Sequence, residues 1–129
     1  MSDYENIRQL VETRMATFTS LPIAYDNVSF DSSLHDEWCR LTIQDGDAFN
    51  AGIGNGCEIR RTGLVVIQLF TSQWSGVKSA RSYADELDAL FSNVHDGSLQ
   101  FFATSVNRVG HFDDVYQVNV TIPFLYNGG

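Results

Sequence analysis

The pattern of apolar and polar positions is clearest between residues 60 and 94, where it predicts a buried strand followed by an amphipathic helix. In residues 64–70, apolar side chains fall on both faces of a strand, and only Gln68 interrupts them. From residue 77 to residue 94, apolar side chains recur at spacings of three and four, as on one face of a helix. A strand with two apolar faces needs cover, and the following helix supplies it on one side. This strand and this helix are therefore the predicted centre of the fold.

The rest of the chain yields further elements with weaker periodicity. Residues 3–18 have apolar side chains at helical spacing, which predicts a first helix. Strict alternation predicts strands in residues 37–44 and 115–124, and a less regular pattern predicts one in residues 98–106. A short edge strand is expected at residues 23–25. Pro123 cannot donate a hydrogen bond to a neighbouring strand, so the last strand is expected to end there or to lie at a sheet edge.

Residues 45–57 break this pattern, because four of the thirteen positions are glycine. Glycine at this density predicts a long flexible hairpin loop between two antiparallel strands. Structureless loops of this length are uncommon in compact domains and are usually functional or disordered. Phe49 and Ile53 are apolar residues within the loop, and such residues often pack against another chain.

These elements predict an α+β fold in a single domain over residues 1–129. The sheet is expected to be mixed or mostly antiparallel, with four to five strands packed against two helices. Residues 107–114 are predicted to form a loop. A chain of 129 residues is long enough to bury a core of its own.

The net charge of −8 argues against binding nucleic acid through its phosphates, because sixteen acidic residues face only eight basic ones. An acidic surface could still line a passage that DNA crosses without adhering. No apolar run approaches the length of about 20 residues that a membrane helix needs. The first twenty residues are polar and amphipathic, so neither a secretory signal nor a membrane partner is expected.

Candidate chemical groups are few and unpatterned. Cys39 falls in a predicted strand and Cys57 beside the glycine-rich stretch, so two free thiols are expected rather than a disulfide or zinc site. His35, His95 and His111 each precede acidic residues, but they fall in predicted loops without the spacing of a metal motif. We therefore expect no catalytic residue, no metal and no cofactor, and the protein is not expected to be an enzyme.

Several segments taken together resemble the tail terminator proteins of bacteriophages with long non-contractile tails. The segments are VETRMATF, PIAYDNVSF, EWCRLTI, RRTGLVVIQLF, SGVKSARSYADELDALF and YQVNVTIPF, in this order over nearly the whole chain. The resemblance implies a structural virion protein that closes into a hexameric ring on the tail tube. Such a ring ends tube polymerisation and presents the surface for joining tail to head.

The resemblance also implies the partners and the place of the protein. The partners are further copies of the chain, the tail tube protein and a head completion or connector protein, while DNA passes through the ring without specific binding. The protein is expected at the head-proximal end of the tail in the virion, after assembly in the cytoplasm of the host bacterium.

Residues for these contacts are hypotheses based on their positions in the chain. Subunit or tube contacts are expected from residues of the glycine-rich stretch and from nearby arginines: Phe49, Ile53, Asn55, Arg40, Arg60 and Arg61. Asp45 and Asp47 are candidates for acidic groups facing the lumen of the ring.

Two other functions remain open from the residues alone. One is another neck, tail-completion or head–tail joining protein of the same virion, because fold does not determine function. The other is a small ligand-binding domain or enzyme, which predicts a deep pocket with convergent polar groups.

Overall fold

The computed structural model describes residues 3–26, 28–31, 36–50, 59–72, 76–112 and 115–128. Within these ranges the chain forms two helices and seven strands. The elements in chain order are α1 (Asp3–Met15), β1 (Ile23–Ala24), β2 (Trp38–Asn50), β3 (Ile59–Ser72), α2 (Gly76–Phe91), β4 (His95–Asp96), β5 (Leu99–Phe101), β6 (Ser105–Phe112) and β7 (Val115–Gly128).

The described strands form one mixed sheet in the order β1-β2-β3-β7-β5-β4, with β6 also paired to β7. β1 runs parallel to β2, and every other pair is antiparallel. The sheet of seven strands shows that the prediction of four to five was wrong, although the protein still combines helices with a mixed sheet as α+β proteins do. β4 and β6 account for the difference, and β4 is too short to leave a periodic signal.

Residues 107–112 of β6 were predicted as part of a loop, and this prediction is wrong. The strand carries polar residues and a glycine, and it pairs with β7 from Ser105↔Thr121 to Phe112↔Val115. A register shift between Arg108 and Gly110 interrupts its alternation. A strand that is exposed at a sheet edge and contains a bulge lacks the regular burial on which sequence periodicity depends. His111 therefore lies in a strand, as does His95 in β4, and not in loops as predicted.

The glycine-rich stretch also differs from its prediction. Residues 45–50 belong to β2 and pair with β3 as far as Asn50↔Ile59. A bulge between Asp45 and Ala48 shifts the register there. All residues from Gln44 to Asn50 are exposed, so no buried face marks this part of the strand in the sequence. Residues 51–58 lie outside the described residues.

One face of the sheet carries the core. Residues at alternate positions of β2, β3 and β7 pack there against the helices: Cys39, Leu41, Val65, Ile67, Leu69, Val118, Val120 and Ile122. From α1 and α2, the buried side chains include Ile7, Val11, Met15, Ala84, Leu87 and Phe91. β3 is central, as predicted, because β2 and β7 flank it.

The opposite face of the sheet, called the open face below, is not fully covered. On β3 it carries Leu64, Val66, Gln68 and Phe70, all half-buried. β3 was expected to be buried on both faces, but only one face lies under the helices. At one end of the open face, the Trp38 ring stacks on Phe70 with ring centroids 4.3 Å apart. This contact gives part of the open face local cover from aromatic rings.

Pro123 lies inside β7, which continues to Gly128 instead of ending at this residue. The carbonyl of Pro123 accepts a hydrogen bond from the Phe102 N–H at 2.9 Å. The amide nitrogen and carbonyl of one strand residue point to the same side, so the Pro123 nitrogen faces residues 102–104. These residues connect β5 to β6 and belong to neither strand. Proline is tolerated in this inner strand because its missing donor faces a break in the neighbouring pairing.

Cys39 is fully buried, as expected of a core residue, and its burial raises the pKa of the thiol to about 12. At about pH 8 the thiol therefore stays protonated, and the thiolate is the reactive form. In a Cys57→Ser variant, we expect no labelling of the native protein by a thiol reagent at this pH, and complete labelling in denaturant. Rapid labelling without denaturant would contradict the burial of Cys39.

Candidate assembly site

The outer edge of β2 is open over most of its length. β1 pairs with β2 only at Ile23↔Cys39 and Ala24↔Arg40. From Leu41 to Asn50, no strand among the described residues pairs with this edge. An edge of this kind presents backbone donors and acceptors to another chain. Residues 41–50 are called the β2 edge below.

The direction of the backbone groups along the β2 edge follows from one hydrogen bond. The Cys39 N–H donates to the carbonyl of Pro22 at 3.0 Å, so the backbone of Cys39 points away from β3. Backbone groups alternate in direction along a strand. Leu41, Ile43 and Asp45 therefore also direct their N–H and C=O groups outward. By register, their side chains lie on the helix-bearing face, opposite Ile67, Val65 and Gly63 of β3.

A groove of about 590 Å³ lies beside the β2 edge, between this edge and α1. The residues that line it are Tyr4, Glu5, Arg8, Glu12, Asp26, Val28, Leu41, Ile43 and Asp45. They include four carboxylates and one guanidinium, which gives the lining a formal charge of −3. The apolar residues Val28, Leu41 and Ile43 line the same groove. This space is called the acidic groove below.

The charged residues of α1 in the acidic groove are paired with one another. Arg8 Nη1 donates to Glu12 Oε1 at 3.1 Å, and Arg8 also forms an ion pair with Glu5. The hydrogen bond from Arg8 lowers the pKa of Glu5, and both carboxylates raise the pKa of Arg8. All three side chains remain accessible to solvent, so these pairs contribute little to stability. These ion pairs fix the positions of the three charged groups, and the groove keeps its net negative charge.

The second open edge belongs to β6, on the other side of the sheet. β6 pairs with β7 on one side, and no described strand pairs with its other side. Thr121 and Asn119 lie two and four positions before Pro123 in β7. Their backbone groups therefore point to the same side as those of Pro123, toward β6. Their partners Ser105 and Asn107 are consequently hydrogen-bonded to β7. Residues 105–112 are called the β6 edge below.

The alternate residues of β6 direct their backbone groups outward. Val106 and Arg108 lie opposite Val120 and Val118 of β7, whose side chains are on the helix-bearing face. Val106 and Arg108 therefore combine an outward backbone with side chains on the helix-bearing face. This is the same combination that Leu41, Ile43 and Asp45 show on the β2 edge.

Large exposed apolar side chains are concentrated at these two edges. Among the described residues, six such side chains are exposed, and five of them lie on or beside an open edge. These five are Tyr4, Val28, Phe49, Val106 and Val109. Val106 is 51% exposed and Phe49 is 47% exposed. Exposed apolar groups that gather in this way are typical of contact surfaces.

The structure brings two of the candidate residues from the sequence together. Phe49 and Arg60 are direct cross-strand partners at the end of β2 and β3, and both are exposed. By register they lie on the open face. Arg40 is on the same face but lies several residues away, with its guanidinium 5.5 Å from the centroid of the Trp38 ring.

Arg61 lies on the helix-bearing face and has partners within its own chain. Its Nε donates to Asp3 Oδ2 at 3.0 Å, and its Nη1 donates to the hydroxyl of Tyr4 at 3.0 Å. The guanidinium also lies 4.6 Å from the centroid of the Tyr4 ring. These contacts join the start of α1 to β3. Arg61 is thus part of the fold beside the acidic groove.

The remaining candidate residues are scattered. Asp45 lines the acidic groove, whereas Asp47 lies in the bulge of β2, where its carbonyl accepts a hydrogen bond from Thr62 Oγ1 at 2.9 Å. Ile53 and Asn55 lie outside the described residues.

Sequence reasoning missed the β6 edge and the contribution of α1. Val106 fell at the end of a predicted strand and Arg108 and Val109 in a predicted loop. Glu5, Arg8 and Glu12 of α1 were not among the candidate residues. An observation that could have found β6 is the spacing of Val106 and Val109 among polar residues close to the last strand. That spacing alone does not distinguish an edge strand from a loop.

Among the described residues, no group of three or more histidine, cysteine or acidic side chains could hold a metal ion. No helix in the described ranges is long and apolar enough to cross a membrane.

The described residues define an α+β protein whose distinguishing surface is a pair of open sheet edges. The model of the phage tail terminator protein family matches residues 6–124. The chain belongs to this family, which confirms the resemblance noted in its sequence. It is therefore a structural tail-completion protein of a phage and a component of the virion.

Comparison of structures supports the fold. Five solved chains match this structure. One of them superposes with a TM-score of 0.74 at 19% sequence identity, covering 100% of this chain and 97% of the other. At this identity the likeness shows a shared fold alone. No curated protein sequence matches the chain.

Proposed function

We propose that the protein forms a hexameric ring on the head-proximal end of the tail tube of a phage with a long non-contractile tail. The ring ends polymerisation of the tube protein and provides the surface to which a head completion or connector protein binds. Assembly takes place in the cytoplasm of the host bacterium. Membership of the tail terminator family carries this proposal.

The shape of the sheet is compatible with a ring. A closed ring of identical subunits needs two different surfaces on each subunit, because each copy contacts one neighbour with one surface and the next neighbour with the other. The β2 edge and the β6 edge are two such surfaces, and β3 and β7 separate them. A single self-complementary surface would give a dimer instead.

The two faces of the sheet suit different sides of a ring wall. The helix layer takes up more space, so it fits the longer outer circumference, and the open face then lines the channel. In the described residues, that face carries amides and hydroxyls from Thr42, Gln68, Asn107, Asn119 and Thr121. The same face also carries the apolar side chains of Leu64, Val66 and Phe70 and the guanidinium groups of Arg40 and Arg60. DNA passing through would therefore meet a wall of mixed polar, apolar and basic groups, and Asp45 on the opposite face would not line this channel.

Adding the purified protein to polymerising tail tube protein of the same phage tests the proposal. We expect tubes to stop growing and to carry one ring at one end, because a cap that occupies the growing end removes the site of addition. Electron microscopy measures tube length and end structure, and bovine serum albumin serves as the inert control. Tubes of unchanged length with bare ends would contradict the capping function.

A further inference from the structure

We propose that neighbouring copies of this chain join through their sheets, with the β6 edge of one copy pairing antiparallel with the β2 edge of the next. This inference rests on the ring proposed above and specifies its subunit contact. The occupant of each open edge is therefore a second copy of the chain, and the interface is main-chain hydrogen bonding between strands.

Strand directions support antiparallel pairing. β2 and β3 are antiparallel, as are β3 and β7, and β7 and β6. It follows that β2 and β6 run in opposite directions within one subunit. A rotation about a ring axis that lies roughly along the strands preserves these directions. The β6 edge of one copy would then meet the β2 edge of the next as an antiparallel neighbour.

On both edges, the residues whose backbone groups point outward have their side chains on the helix-bearing face, as a continuous sheet requires. Residues that exchange hydrogen bonds in an antiparallel pair place their side chains on the same face. Outward-pointing Val106 and Arg108 on one edge, and Leu41, Ile43 and Asp45 on the other, all have side chains on the helix-bearing face. Pairing them keeps the helices of both copies on one side of the joined sheet.

Side-chain chemistry also matches across the proposed interface. The acidic groove borders the β2 edge on the helix-bearing face and has a formal charge of −3. Arg108 would enter it from the β6 edge, and the described side chains of β6 include no carboxylate. Val106, half of whose surface is now exposed, would cover Ile43, which is half-buried and lines the same groove. Opposite charge and apolar cover both favour unlike edges meeting.

The position of β1 determines how the edges can meet. Within one subunit, Ser105 pairs with Thr121, Thr121 with Val66, and Val66 with Thr42. Ser105 and Thr42 therefore lie at the same height along the strands. β1 covers β2 at Cys39 and Arg40, so β6 must shift along β2 toward Asn50 to find an open edge. Closing a sheet into a barrel imposes such a stagger, because the strands tilt relative to the barrel axis.

Disulfide formation between copies tests the interface. Ser105 and Asn107 on β6, and Thr42 and Gln44 on β2, lie on the open face and would meet as non-hydrogen-bonded pairs. Cβ atoms in such pairs are about 4.5–5.5 Å apart, close to the span of a disulfide. The experiment uses a Cys57→Ser background with one added cysteine per chain: Thr42→Cys, Gln44→Cys, Ser105→Cys or Asn107→Cys. Each variant is oxidised mildly, alone and with tail tube protein.

We expect each variant alone to remain uncrosslinked, and a mixture of one β2 variant with one β6 variant to give a covalent dimer. A chain that carries both cysteines should give a ladder of multimers. Crosslinking of any single variant with itself, or no crosslinking in all four mixtures while tubes are still capped, would overturn the interface. Crosslinked multimers that leave tube length unchanged would support the interface and contradict the capping function instead.

A charge reversal provides a second readout. Arg108→Glu would place a carboxylate against the acidic groove, and we expect the yield of mixed disulfide to fall at least about tenfold. Arg81→Glu, on the exposed side of α2, is the matched control and should leave the yield unchanged. Equal yields from both variants would contradict the role of Arg108.

Discussion

Replacing Phe101 with alanine should lower the free energy of unfolding by about 3–5 kcal/mol, which is the usual cost of removing a fully buried phenylalanine. Phe101 has no exposed surface, and its ring contacts Phe91 edge to face with centroids 5.3 Å apart. Phe91 comes from α2 and Phe101 from β5, so the pair joins helix to sheet. The substitution leaves a cavity between the helix layer and the sheet. The cavity does not collapse, because the pairing of the strands holds the backbone in place.

The adjacent residue provides a matched control. Phe102 is 39% exposed and contributes its backbone N–H, which alanine retains, to the hydrogen bond with Pro123. We expect Phe102→Ala to cost about 1 kcal/mol or less. Urea denaturation followed by circular dichroism measures both variants. Similar losses of stability for the two substitutions would show that the burial of Phe101 is not as described.

Gly63→Ala should destabilise the protein by about 1–3 kcal/mol, because a methyl group there overfills the space between three strands. An added Cβ would lie 2.6 Å from the carbonyl oxygen of Gln44 and 2.8 Å from Cε2 of Phe124. Gly63 and Phe124 are cross-strand partners, and the aromatic ring lies over the glycine. The absence of a side chain at residue 63 thus makes room for the ring.

A second substitution separates the two contacts of this methyl group. Phe124→Leu shortens the opposing side chain but leaves the Gln44 carbonyl in place. The double variant should therefore be more stable than the sum of the single losses predicts, by about 0.5–3 kcal/mol, while remaining below wild type. Thermal unfolding or urea denaturation of all four proteins gives this coupling energy. Strict additivity would mean that Phe124 does not restrict residue 63.

The parts of the fold that the sequence predicted are those whose burial is periodic over many residues. α2, β3 and most of β7 repeat a buried position every three to four or every two residues, and the amino acids follow that repeat. β6 and the second half of β2 have mostly exposed side chains on both faces, so no alternation was available to recognise. Their strand structure depends on pairing with distant residues, such as Asn50 with Ile59 and Ser105 with Thr121.

The candidate site was only partly predictable for the same reason. Phe49 lies within the glycine-rich stretch and Arg60 just after it, which made both of them candidates, and the structure makes them cross-strand neighbours. The acidic groove combines α1 with β2, which are far apart in sequence, so no local pattern could reveal it. Arg61 illustrates the converse difficulty. Its place in the sequence suggests a contact with a neighbouring subunit or the tube, whereas in the structure it binds Asp3 and Tyr4 of its own chain.

The bulge between Asp45 and Ala48 has a consequence for the life of the protein before it reaches a tail. Unpaired strands in newly made chains can associate without limit into aggregates, and proteins resist this with bulges and with charges on the exposed strand. β2 has both features, because Asp45 borders the bulge and Asp47 lies within it. Two β2 strands brought together would oppose like charges and mismatched twists. These features therefore protect free subunits from associating through their β2 edges.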